Sequence, residues 1–281
     1  MRVDPAALSA LPYKPQLFQD KDLSGLGHPD LVPRLRQLKS KSGNICCPET
    51  LVLKEHPNLI FRTRLLPEQD FPWPGQVIKQ FKWRGIQNFL LSPFKKSKAV
   101  KSYLAACHLL KHGLSTPMPL GAVEFRILGF IRRNIYITEV INDYIDLRKY
   151  RDTLPHGPED MREVLHLLAG YILRMHDSGL WHRDLNLRNF LLTGRPGKHG
   201  LYLVDLNRAR ILKNLPVWVR ALDMSRLDLK GWQMEFFEIY CNGRFHAPAM
   251  LKIANLARAR RSAWRRVAVP TSSLRKKFGL K

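Results

Sequence analysis

The first 42 residues, rich in proline and basic side chains, show little hydrophobic periodicity and read as an irregular arm. From Thr50 the chain reads as β. Leu51-Val52-Leu53, Leu59 to Leu65 and Val77 to Phe81 have strand character, and a Pro-rich turn, Pro67 to Gly75, separates the last two. The pattern then becomes helical. Ser97 is placed to cap a helix in which Val100, Tyr103, Leu104, Cys107 and Leu110 share one face before Gly113 ends it. Two more strands are predicted near Leu120–Glu124 and Ile135–Ile141, and a connector spans residues 138–150. A second helix starts at Pro158, buries Met161, Val164, Leu165, Leu168, Ile172 and Met175, and stops at Gly179. Two short strands, Phe190–Leu192 and Leu201–Val204, flank a turn holding Gly194, Pro196, Gly197 and Gly200, and the remainder reads as helix.

This order predicts an α+β chain of two lobes, one rich in strands with a single main helix and one mostly helical. The expected divisions are a basic arm (1–42), a first lobe (43–141), a second lobe (142–255) and a basic tail (256–281). A length of 281 residues with 45% hydrophobic residues is enough for two cores. The charge changes the picture more. Lys and Arg number 47 against 23 Asp and Glu, a net +24, which favours an acidic partner: nucleic acid, an anionic membrane face or a phosphorylated substrate. Neither a zinc-finger spacing nor an aromatic–basic single-strand-binding motif accompanies the charge, so nucleic acid has no second argument. The four cysteines, Cys46, Cys47, Cys107 and Cys241, have no metal-site spacing and fit reduced thiols in a cytosol. No apolar run approaches the ~18 residues of a membrane span, and no signal-peptide core is visible.

The candidate chemistry sits around the predicted hairpin. Asn189 immediately precedes its first strand and Asp205 follows its second. Antiparallel pairing would bring these two positions to one end, offering an amide oxygen and a carboxylate as hard ligands for Mg²⁺. Asp184, five residues before Asn189 on the loop after the second helix, is placed to orient an acceptor hydroxyl and take its proton. Lys79, on a strand of the other half, is placed to meet the α- and β-phosphates of a nucleotide. Together they follow the order strand lysine, His182-Arg183-Asp184 with Asn189 five residues on, and an Asp after a strand. That order points to a bilobal protein-kinase-like fold. His182 reads as a structural ring that holds the loop.

With these residues in view, the chain resembles the lipopolysaccharide kinase family (Kdo kinase and WaaP-like) over residues 50–250. The resemblance rests on Ser97-Lys98-Ala99 and Gly113-Leu114-Ser115-Thr116-Pro117. It rests further on Tyr136-Ile137-Thr138-Glu139, on His182 to Leu192, and on Val204-Asp205-Leu206-Asn207-Arg208-Ala209-Arg210. It implies an ATP-dependent, Mg²⁺-requiring transfer of phosphate to a sugar hydroxyl of the lipopolysaccharide core or a related glycolipid. The expected location is the cytoplasmic side, peripheral at the inner face of the inner membrane. The resemblance also implies roles. Lys79 would contact ATP phosphates, Asp184 would be the base, and Asn189 and Asp205 would hold the metal. The backbone of Glu139 and Ile141 would face the adenine. Asn186 stands where many protein kinases carry a lysine, and would hold the loop or touch the γ-phosphate.

Several features depart from the wider kinase pattern. The Ser97–His112 segment has no acid to pair with Lys79, and Ser102 stands near the expected place. That gap leaves an alternative, a pseudokinase that binds nucleotide or a partner and regulates envelope synthesis. The metal motif reads Asp-Leu-Asn, and no Ala-Pro-Glu segment follows it, which favours a glycolipid or sugar acceptor over a peptide. Beyond Glu238 the chain has no acid and eleven Lys or Arg, interspersed with Leu251, Ala254, Leu256, Ala263, Trp264 and Val267. This pattern is that of a tether to an anionic membrane.

Overall fold

A computed structural model describes residues 8–9, 11–19, 23–33, 51–55, 58–63, 75–81 and 92–277; the side chains of Phe94, Arg265 and residues 267–277 are not described. Cys46, Cys47 and most of the expected Pro-rich turn lie outside the described residues. The chain divides into two compact units, residues 1–145 with 191–194 and 200–211, and residues 146–190 with 195–199 and 212–281.

The first unit is built on a seven-stranded antiparallel sheet. Its strands are β1 (Gln16–Gln19), β2 (Leu23–Gly27), β3 (Leu51–Lys54), β4 (Leu59–Thr63), β5 (Gln76–Phe81), β6 (Pro119–Ile127) and β7 (Phe130–Glu139). They lie in the order β1-β2-β6-β7-β5-β4-β3. Side chains alternate across it, as the two-residue period of a strand requires. Ile78 of β5 packs with Phe61, Val123, Ile135 and Ile137 on one face. Phe81 joins Val100, Tyr103 and Cys107 of α1 (Lys98–Lys111) on the other. Ser97 caps α1 by accepting the Val100 N–H at 3.2 Å, as the sequence predicts. A shorter sheet holds β8 (Tyr144–Asp146), β9 (Phe190–Thr193) and β10 (Gly200–Leu203), with β9 in the middle; β9 and β10 form the predicted hairpin.

The expected irregular arm at 1–42 is corrected in part by this sheet. β2 pairs with β6 from Leu23 opposite Phe125 to Gly27 opposite Gly121, and all five of its residues are buried. Leu-Ser-Gly-Leu-Gly has neither β-branched residues nor alternation, so its sequence carries no strand signal. Packing supplies the reason for the small residues. A Cβ at Gly25 would lie 2.5 Å from the Phe18 ring and 2.6 Å from the Ala122 carbonyl oxygen.

The second unit is helical: α2 (Leu147–Thr153), α3 (Pro158–Asp177), α4 (Val217–Met224), α5 (Gln233–Cys241) and α6 (Ala247–Lys277). α3 buries the predicted face, Met161 to Met175, and packs on α5, where Tyr240 meets His176. Gly179 ends α3 at φ +84°, where a Cβ would collide with the Leu212 carbonyl oxygen at 2.0 Å; only glycine fits. The expected tail boundary at residue 256 is also corrected, because α6 runs through it without a break.

Candidate active site

In the first unit, Lys79 lies on β5 opposite Tyr136 of β7 and shares the α1 face with Phe81. Its ammonium sits 5.3 Å from the Phe81 ring centroid and 2.6 Å from Asp205 Oδ1. Thus the carboxylate beside Lys79 comes from the residue predicted to bind metal. Ser102 is not that partner: it is buried, and its hydroxyl donates to the Lys98 carbonyl at 2.8 Å, within its own helix. Glu124, the acid of β6, is also engaged elsewhere. It is buried, accepts the Ser97 N–H at 3.2 Å and pairs with Arg126 at 2.6 Å, so it serves the N-terminus of α1.

Asp205 is held from two directions. Its backbone is left-handed, with φ 64° and ψ 46°, a conformation that Asp tolerates better than most residues. Its Oδ1 accepts from the Asn207 amide as well as from Lys79. The strand leading to it is fixed by Leu203, whose N–H donates to Ser115 O at 3.1 Å and whose carbonyl accepts from Thr116 Oγ1 at 2.7 Å. Ser115-Thr116, just beyond α1, thereby sets the position of the residue that meets Lys79.

Glu139 ends β7, with its N–H donating to Met118 O at 3.0 Å and its carboxylate accepting the Met118 N–H at 2.8 Å. Burial pushes its carboxyl above the usual range, and the Met118 N–H opposes that. Its carbonyl accepts from Thr138 Oγ1 at 3.0 Å, and Ile141, two residues on, is half-buried.

In the second unit, the loop from His182 to Asn189 is tied almost wholly through its backbone. Buried Asp223 of α4 accepts the His182 N–H at 2.9 Å and the Arg183 N–H at 2.8 Å. Arg183 has φ 67°, a left-handed conformation uncommon for a non-glycine residue, and this carboxylate holds it there. Asp223 is in turn 3.4 Å from His176 Nε2, whose Nδ1 meets Tyr240 OH at 2.8 Å. Neutral imidazole satisfies both contacts if Nε2–H donates to Asp223 and the tyrosine donates to Nδ1. Burial lowers the His176 pKa, against the pull of Asp223, in keeping with that neutral ring. Sequence reasoning missed Asp223. An acid within the apolar pattern of Val219, Ala221 and Met224 was the available signal.

His182 is fully buried and its Nδ1 accepts the Asp184 N–H at 3.3 Å, the structural role expected of it. Asn186 and Asn189 each donate an amide hydrogen to the Asp184 carbonyl at 2.9 Å. Asn186 also accepts the Arg188 N–H at 3.1 Å, so both ends of its amide close the loop. The Asp184 carboxylate meets Arg226 Nη1 at 2.6 Å, a partner the sequence did not suggest.

Comparison with known proteins shows the family. A sequence model described as "Lipopolysaccharide kinase (Kdo/WaaP) family" matches residues 78–236, more than half of the chain and a span that holds Lys79, Asp184, Asn189 and Asp205. The chain belongs to this family. It is 29% identical over 160 residues to the lipopolysaccharide core heptose(I) kinase WaaP of Escherichia coli (strain K12), covering 54% of this chain and 59% of that protein. It is 29% identical over 106 residues to the 3-deoxy-D-manno-octulosonic acid kinase of Photobacterium damsela subsp. piscicida, covering 37% and 42%. The aligned parts span less than two thirds of either relative. Among solved structures, WaaP in complex with acyl carrier protein shares the protein-kinase-like fold, with a TM-score of 0.55, 18% identity, and coverage of 79% of this chain and 88% of that one.

In this member of the Kdo/WaaP family each unit offers a hard oxygen of the kind Mg²⁺ takes: the Asp205 carboxylate in the first, and in the second the Asn189 amide, whose nitrogen is engaged with Asp184. Among the described residues no three His, Cys, Asp or Glu side chains cluster as an all-protein metal cage.

Proposed function

We propose that this protein is an ATP-dependent phosphotransferase that phosphorylates a sugar hydroxyl of the lipopolysaccharide core or a related glycolipid. One observation carries the proposal. The segment matched to the lipopolysaccharide kinase family contains Lys79, Asp184, Asn189 and Asp205, and Lys79 has a carboxylate partner, Asp205, despite the missing helix acid. In this reading Asp184 orients the acceptor hydroxyl and takes its proton as the new P–O bond forms and the bond from the γ-phosphorus to the departing ADP breaks. Lys79 neutralises phosphate charge on the nucleotide, and the backbone at Glu139 and Ile141 faces the adenine. Asn189 and Asp205 would hold Mg²⁺, which supplies charge neutralisation on the phosphates. The pseudokinase alternative drew its support from the missing helix acid, and the relatives matched, both named as kinases, lend it none.

The acceptor is anchored in a membrane, and α6 suits a surface of that kind. It carries Lys252, Arg260 and Arg266 exposed, with Leu256 and Trp264 also turned to solvent. No described helix is long and apolar enough to cross a bilayer, so we place the protein peripherally at the inner face of the inner membrane. The deciding experiment incubates the protein with ATP and a core oligosaccharide, with and without Mg²⁺. Phosphate should reach the sugar only with the metal, and Asp184→Asn should cut turnover by about 10²-fold or more while ATP affinity holds. Nucleotide binding without transfer under every acceptor condition would support the regulator instead.

A further inference from the structure

The backbone of the catalytic loop and its key carboxylate are fastened from the same helix end. Asp223, on the last turn of α4, takes the N–H groups of His182 and Arg183. Three residues later Arg226 reaches the Asp184 carboxylate at 2.6 Å. Both side chains are partly open to solvent, at 32% for Arg226 and 26% for Asp184, so the contact lies where an acceptor could approach. The turn carrying Arg226 is itself braced by α6. Arg261 Nη2 donates to the Ser225 carbonyl at 2.7 Å, and Arg258 donates to Ser225 O at 3.3 Å and Leu227 O at 2.9 Å. The carbonyls on either side of Arg226 are thus each held by an arginine from another helix.

This arrangement answers a specific requirement. The terminal torsion of an aspartate is broad, so a carboxylate fixed only through its backbone can rotate away from a hydroxyl it must receive. Asn186 and Asn189 bind the Asp184 carbonyl and settle its backbone, and His182 takes its N–H. They leave the carboxylate's rotation to its own contacts. A charge-assisted bond from a guanidinium to one oxygen sets that rotation and directs the other oxygen toward the reacting hydroxyl.

We propose that Arg226 is a positioning residue for phosphoryl transfer, orienting the Asp184 carboxylate, with Arg258 and Arg261 of α6 bracing the turn that carries it. The inference rests on the phosphotransferase reading above. Arg226→Ala should lower kcat by roughly 10- to 100-fold with the KM for ATP changed less than about twofold. Arg226→Lys, which keeps the charge but not the fork, should fall in between. Added guanidinium ion, well below denaturing concentration, should restore several-fold activity to Arg226→Ala and none to Arg226→Lys, whose ammonium fills the place. A residue with only a structural role would show no such rescue. Wild-type kcat in Arg226→Ala, or a loss that guanidinium leaves unchanged in a variant of wild-type melting temperature, overturns the positioning role while the kinase reading stands. A wild-type protein that transfers no phosphate to any core acceptor overturns both.

Discussion

Lys79 Nζ lies 2.6 Å from Asp205 Oδ1, which makes the aspartate proposed to bind metal the lysine's counter-ion. Kinase-like sites ordinarily pair that lysine with a glutamate on the following helix. Here α1 has no acid, and the carboxylate arrives instead after β10, from a residue 126 positions further along the chain. The pair is partly exposed, at 14% and 34%, so its electrostatic worth is modest in water and its importance lies in geometry. It holds the ammonium beside the carboxylate that would carry the metal.

That pairing sets expectations for two substitutions. Lys79→Met should weaken nucleotide binding and lower turnover by about 10²-fold, the usual scale for removing one preorganised charge from a transfer site. Ser102→Glu looks on sequence grounds like a restored partner that would tighten nucleotide binding. The structure reverses that expectation, because Ser102 is 1% exposed and the new carboxylate would be buried in the core of α1. A stability loss on the order of 2–3 kcal/mol with no gain in ATP affinity is expected, read by thermal unfolding and calorimetric titration.

Removal of Asp223 should damage both fold and activity. Asp223→Ala leaves the His182 and Arg183 N–H groups without an acceptor in a buried site and frees a residue held at positive φ. The expected cost is roughly 2–5 kcal/mol in denaturant unfolding, with turnover falling further than the folded fraction does. Asp223→Asn keeps one acceptor oxygen and should lose about half as much. Equal stability of Asp223→Ala and wild type would show that the loop is held elsewhere.

These results also show what the sequence could and could not reveal. α1, α3 and the β9–β10 hairpin were legible because each announces itself locally: Ser97 and Gly179 mark ends, and apolar residues recur at the period of the element. Asp184, Asn189, Asp205 and Lys79 could be proposed as the site because their order along the chain is that of one known chemistry. β2 was not, since a strand of Leu, Ser and Gly is specified by the close approach of Phe18 and Ala122 rather than by its own pattern. Partners set by tertiary contact were hidden too. Nothing local tells that Arg226 belongs to Asp184, 42 residues earlier, or that Glu124 serves the start of α1.

A pH response follows from His176. It is wholly buried against Asp223 and Tyr240, with Arg220 and Asp177 also acting on it, and burial holds its pKa below the ordinary value of 6.5. In the unfolded chain the ring protonates near its ordinary value, while in the folded protein it stays neutral to lower pH. Between those two points the unfolded state binds more protons, so stability must fall as pH drops below about 6.5 and through the folded pKa. Above that range the contribution is complete. His176→Gln, which keeps a neutral hydrogen-bonding side chain, should be less stable at pH 8 but should flatten this part of the profile. Identical slopes for both proteins between pH 7 and 5 would remove His176 as the cause.

The membrane role proposed for α6 needs a test gentler than truncation. Deleting residues 256–281 takes away Arg258 and Arg261, whose bonds to Ser225 and Leu227 brace the Arg226 turn, so turnover should fall even on a soluble acceptor. The residues free to meet a lipid surface are others. Leu256 and Trp264 are 62% and 73% exposed, and Arg260 lies between them at helical spacing of four. Leu256 also borders a groove with Met234, Leu251 and Ala259, which extends the apolar strip onto α5. Ala254, counted in the apolar pattern of the sequence, is fully buried and takes no part. Each basic residue near an anionic leaflet contributes about 1 kcal/mol, and insertion of a tryptophan and a leucine adds an apolar term of similar size. Leu256→Gln combined with Trp264→Gln should therefore weaken sedimentation with phosphatidylglycerol-containing vesicles by about tenfold. Added salt should weaken the remainder, and kcat on a soluble core oligosaccharide should stay at the wild-type value. Vesicle binding indifferent to both the substitutions and ionic strength would place the membrane contact on another face.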